Sequence, residues 1–139
     1  LPLKIYSKIY SSKKCIEHTM SKILVHIHSG KDLKNKLTLG LLVAVTSVKE
    51  GHEVKLFLAA DGVHALNCQS EGEIVGEGTG DVMLHLNALK SADVEIMVSG
   101  MSAKARGYDQ NLLRGFNASF AMPDQLIKAS LEADIVLCY

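Results

Sequence analysis

Short apolar runs rich in β-branched residues alternate with helix-period stripes along this chain, and that alternation limits its fold more than any single residue does. Residues 22–28, KILVHIH, form a continuous run closed by Ser29-Gly30-Lys31-Asp32, the pattern of a buried strand ending in a turn. Residues 33–49 then place Leu37, Leu41, Val45 and Val48 at helical spacing, as in a helix lying on a sheet, and Gly51 is positioned to end it. Residues 53–60 predict a second strand, which Asp61-Gly62 turns into a short helical piece over 63–67. Residues 69–80 are rich in Gly and Glu, carry no helical stripe and read as a surface loop. Thr79 or Asp81 can cap the next helix, in which Val82, Leu86 and Leu89 share a face. Residues 94–98 predict a third strand, 118–122 a fourth, 123–132 a helix opened by Pro123, and 135–139 the last strand. Strands joined through helices by short turns require right-handed crossovers. The expected fold is therefore α/β, with three layers and a mainly parallel sheet between helices.

Composition narrows the class. A chain of 139 residues with 47% hydrophobic and 22% charged residues can build one core without disulfide or metal staples. With 5% aromatics and no Trp, that core is aliphatic. Lys plus Arg equals Asp plus Glu at 15 each, so no overall field draws nucleic acid or an anionic membrane, and neither is expected as a partner. Cys15, Cys68 and Cys138 include no CxxC pair and predict neither a disulfide framework nor a zinc site, which suits a reducing, cytoplasmic setting. No apolar run approaches the roughly 18 residues of a membrane span. Residues 1–19 contain four Lys against a single Glu, a break in composition just before Met20. Met20 is the expected natural start and 1–19 an added or upstream-translated extension, with a single domain over 20–139. The alternatives for this segment are an organelle-targeting peptide and a genuine edge strand over 5–10.

In a parallel sheet ligands bind at the carboxyl ends of the strands. Three segments meet there: His28, Ser29 and Lys31; Asp61 and His64; and the turn 99–107 with Ser99, Ser102, Lys104 and Arg106. The small residues of that turn let a ligand approach the backbone. Its two cations have no acid beside them in the sequence, so a small anion is the expected ligand; a solvated helix start is the plainer reading. His26 and His28 share a strand face and could hold a metal with His64 or Asp61, but ordinary hydrogen bonding is the commoner role, and no metal is expected. No cofactor is expected either. Gly30-Lys31 lacks the rest of a P-loop, and Gly76, Gly78 and Gly80 do not fit GxGxxG. Neither Ser99 nor Ser102 sits in the GxSxG of a hydrolase.

Taken in order, KILVHIHSG, GHEVKLFLAADGV, HLNALKSADVEI, SGMSAKARGY and ADIVLCY resemble the DsrE-like (DsrE/DsrF-type) family of small sulfur-relay proteins over residues 20–139. The resemblance implies a five-stranded parallel sheet between helix layers. It also implies assembly as a homo-oligomer, trimer or hexamer, or as a mixed oligomer with a DsrE-like relative. Sulfur carriers of that family keep a cysteine just after the strand matching VEIMV, and some keep another three residues on; the matching positions here are Ser99 and Ser102. A thiolate carries sulfane sulfur, whereas a serine hydroxyl forms no persulfide. The leading expectation is therefore a protein that binds a small ligand or a partner at the strand-end cleft. The alternative is a sulfurtransferase or sulfur carrier acting through Cys68, read as a partly exposed thiol with His64 nearby; a third reading is an inactive subunit of a mixed oligomer. Cys138 reads as a small core residue. Leu112, Leu113 and Phe116 form either an interface or a cover over their own sheet.

Overall fold

The computed structural model describes residues 19–139, so Cys15 and the edge strand considered for 5–10 lie outside the described residues. The chain runs β1 (Lys22–Ile27), a 3-10 turn (Lys31–Leu33), α1 (Lys34–Lys49), β2 (Glu53–Leu58), a 3-10 segment (Ala60–Asn67), and α2 (Cys68–Glu71). It continues through β3 (Val75–Gly76), β4 (Gly80–Asp81), α3 (Val82–Ser91), β5 (Glu95–Ser99), α4 (Gly100–Ala105), and a 3-10 turn (Gln110–Leu113). It ends with β6 (Ala118–Ala121), α5 (Pro123–Glu132) and β7 (Ile135–Cys138). The main sheet has the order β6-β5-β2-β1-β7, and every neighbouring pair is parallel. This is the three-layer α/β fold expected from the alternation of runs and stripes.

Side chains alternate across the sheet and divide the core in two. Ile23, Val25 and Ile27 of β1 join Leu56, Leu58, Ile96 and Val98 beneath Leu37 and Leu41 of α1 and Val82, Leu86 and Leu89 of α3. The opposite face buries Leu24, Phe57, Met97 and Ala121 against Ala129 of α5, the one helix on that side among the described residues. Among the described residues, connections through α1, α3 and the segment after β5 keep to the first face, and α5 alone crosses the second. The covering is thus lopsided, and Cys138 shows the effect. It is not the core residue expected of a final strand: among the described residues β7 is an edge strand, Cys138 sits beside His26 in register, and it is exposed.

Residues 69–80 are not a free loop. Ile74 is buried, and the β3–β4 hairpin docks on α1: Glu77 N–H donates to Asn35 Oδ1 at 2.9 Å, and the Thr38 and Thr79 hydroxyls meet at 2.5 Å. Thr79 is spent there, and Asp81 caps α3 by accepting the Leu84 N–H at 3.1 Å. Leu112 and Leu113 are buried in the first core cluster with Phe116 packed against it. Of the two readings for these residues, the cover over their own sheet is the one found.

The turns that end β1 and β2 approach too closely for a side chain between them. A Cβ at Gly62 would stand 2.3 Å from the Ile27 carbonyl oxygen, and one at Gly30 would stand 2.9 Å from Asp61 Cβ. Gly62→Ala is expected to destabilise the fold by about 1–3 kcal/mol, the cost of overpacking a close contact. A urea titration should show this as a lowered midpoint with an unchanged slope. An unshifted midpoint would mean the two turns are free to separate.

Candidate functional site

Ala60 has φ of +49°, a left-handed conformation that costs a residue with a Cβ about 1–2 kcal/mol. Its N–H donates to Ser102 Oγ at 2.9 Å, across from the first turn of α4. Ser99 Oγ in turn accepts the Ser102 N–H at 3.2 Å and caps α4. Both serines are therefore tied to backbone amides.

Arg106 closes the same corner. Its Nη2 and Nε donate to Asp61 Oδ1 at 2.9 and 3.3 Å, and Nη1 donates to the Ser102 carbonyl at 3.1 Å. Forty-five positions of sequence separate that acid from its cation, so the turn that lacked an acid in sequence has one in space. The Asp61 side chain is 66% exposed, and the ion pair itself contributes under about 1 kcal/mol. Its effect is to occupy Arg106, one of the two cations expected to meet an anion. Lys104, Lys31 and His28 are exposed around the locked corner, and Ser29 is buried. His64 Nδ1 lies 2.5 Å from the Tyr108 hydroxyl, which turns the imidazole toward the segment after α4.

His26 lies one strand step inside His28, their rings edge to face at 5.2 Å, with Phe57 at 5.4 Å on the other side. Its Nε2 is buried without a hydrogen-bond partner among the described residues. Burial first, and the neighbouring His28 second, lower its pKa from 6.5. Among the described residues no three His, Cys, Asp or Glu side chains are grouped to hold a metal ion.

Cys68 is not the partly exposed thiol that its polar neighbours suggested. It is 2% exposed, with Sγ 2.8 Å from Met83 Sδ, because the first turn of α2 directs it inward while Gln69 and Ser70 face out. It lines a cavity of about 320 Å³ between the 66–70 segment and residues 107–116. No periodic pattern marks this hollow, since its walls come from short segments far apart in the chain.

The topology places a crevice at one point of the sheet's carboxyl edge. The chain leaves β5 toward the first face and leaves β6 toward the second, so the two adjacent strands part company at Ser99–Gly100 and Ala121–Met122. A Cβ on Gly100 would stand 3.7 Å from Phe120 Cβ and 4.0 Å from Met122 Sδ, and the Met101 and Met122 side chains flank the opening, exposed.

An all-parallel five-stranded α/β domain with its crevice between β5 and β6, the fourth and fifth strands counted from β7, defines the class. The chain belongs to the DsrE/DsrF-like family, whose model matches residues 21–139. Its fold is similar to that of the crystal structure of the YchN protein from E. coli, with a TM-score of 0.66 and 20% identity, covering 87% of this chain and 100% of that one. No curated protein matches the sequence significantly. Among the described residues no helix is long and apolar enough to cross a membrane.

Two outcomes are expected at this corner. Ser102→Ala removes the acceptor of a half-buried amide and should cost about 1 kcal/mol, more than Arg106→Gln, when both are compared by chemical denaturation. The depressed pKa of His26 means that the unfolded chain takes up its proton more readily than the folded one. The contribution is present above pH 6.5 and is lost as pH falls through the lower, folded-state value. His26→Phe should flatten the fall in stability below pH 6.5, measured by urea midpoints across that range; an unchanged slope with pH would exclude His26 as its source.

Proposed function

We propose that this protein is a small-ligand- or partner-binding member of the family, working at the carboxyl edge of the sheet in a cytoplasmic, sulfur-metabolic setting, and that it passes no persulfide through the turn 99–107. The observation that carries this reading is the double engagement of Ser99 and Ser102. Their hydroxyls hold the backbone amides of Ser102 and Ala60 at the crevice where related sulfur carriers are expected to present a thiol. A hydroxyl so placed shapes the site and does not carry sulfur. Burial of Cys68 against Met83 argues against the alternative of a sulfur carrier acting through that thiol.

The test is mass spectrometry of the intact chain after incubation with a sulfane-sulfur donor, followed by an acceptor thiol. The expected result is no added sulfur atom on Cys68 and no transfer. A gain of one sulfur that disappears in Cys68→Ser and passes to the acceptor would overturn the reading in favour of the sulfur carrier.

Assembly belongs to the same proposal. Among the described residues Ile127 is 61% and Leu131 82% exposed on α5, and Val136 of β7, in register with Leu24 on the same side of the sheet, is exposed as well. An apolar surface of this kind suits a second copy of the chain, or a related subunit, better than water. Leu131→Glu should leave the monomer folded and shift sedimentation toward the monomer; an unchanged oligomer would move the interface elsewhere.

A further inference from the structure

The strand-end corner uses most of its own polar groups, and this directs attention to the cavity beside it. Its volume of about 320 Å³ falls within the usual range for small-molecule sites, whereas a hollow at the opposite end of the sheet, under Lys22 and Glu53, is about 30 Å³ and has room for a water. The two walls of the larger cavity differ in chemistry. Leu66, Cys68, Met83, Leu112 and Phe116 supply an apolar, sulfur-containing floor, while Asn67, Gln69, Asn111 and Arg114 bring amides and one guanidinium to the rim. Thiol and thioether groups are polarisable and adapt to a flat or irregular apolar body. Asp109, also at the rim, accepts the Asn111 N–H at 2.9 Å through Oδ1, which shares its charge without cancelling it. Arg114 is exposed and forms no side-chain hydrogen bond or ion pair among the described residues. Its guanidinium is thus a cation of the cavity lining that an anionic ligand can meet, and it matches a planar or tetrahedral oxyanion.

We propose that this cavity seats a small amphipathic anion, its apolar body on the Met83–Phe116 floor and a carboxylate, sulfonate or phosphate head at Arg114. The inference rests on the ligand-binding reading above and moves the ligand from the turn 99–107 to its neighbour. Gly107 and Tyr108 belong to both places, and Tyr108 meets His64, so a bound molecule would be sensed at the strand-end corner.

The experiment is a fluorescence titration of the full chain with anilinonaphthalene sulfonate, an anion with an aromatic body, read alongside amide chemical shifts. Saturable binding of one dye per chain is expected, with shifts at Gln69, Ser70 and Asn111. Arg114→Ala should weaken binding about tenfold, the loss of a charge-assisted contact. Met83→Phe, which fills the floor, should weaken it at least as much with an unchanged circular dichroism spectrum. Should Met83→Phe fail to fold, the exposed Arg114 variant decides alone. Binding lost in Lys104→Ala and retained in Arg114→Ala would return the ligand to the turn 99–107, overturning this inference and leaving the proposed function standing. Binding lost in Leu131→Glu and kept in Arg114→Ala would mean adsorption to the face of α5 and would also overturn it. No saturable binding would remove the cavity as a site, and the absence of dye-induced shifts at the turn 99–107 as well would count against the ligand-binding reading itself.

Discussion

The turn after β2 lies directly on β1 because Gly62 has no side chain to keep it away from the Ile27 carbonyl. Much of the carboxyl edge follows from that contact. Ala59 N–H reaches the Ile27 carbonyl at 3.0 Å, Ala60 takes a left-handed conformation, and its amide then points across to Ser102. Ser102 is held by the Ser99 cap, and Arg106 spans from the Ser102 carbonyl to Asp61. Three segments that are distant in sequence become one corner. Each link is modest alone, and together they restrict the same few backbone dihedrals.

That corner sets the chemistry available. In this chain the strand-end crevice is bordered by hydroxyls committed to backbone amides and by exposed methionines. The Asp61–Arg106 pair removes a cation from the pool that could meet an anion. The neighbouring cavity, with Arg114 at its rim, restores one.

The fold is legible because hydrophobic period is a local property: the expected bounds of each main-sheet strand and of α1 and α5 fall within a residue or two of those found, as with Pro123–Glu132, and α3 carries the expected face of Val82, Leu86 and Leu89. What the sequence hid depends on partners across the chain. Cys138 was misread because apolar neighbours signal a strand and do not reveal that it lies at an edge. Cys68 was misread because Asn67 and Gln69 are polar, although a helical turn can point one residue inward between two that face water. Acid and cation 45 residues apart leave no spacing to recognise, and neither do the two-residue strands of the β3–β4 hairpin. The strand-end residues Asp61, Ser99, Ser102 and Arg106 could be placed at one edge from topology alone, but the bonds among them could not.

Amide hydrogen exchange at Ala60 measures the central claim, that the turns after β2 and β5 form one locked unit. Exchange at Ala60 slowed to nearly the level of Leu56 in the middle of β2, with that protection lost in Ser102→Ala, is the result this account predicts. Exchange at the rate of an exposed turn in the unaltered chain, indifferent to Ser102→Ala, would contradict it.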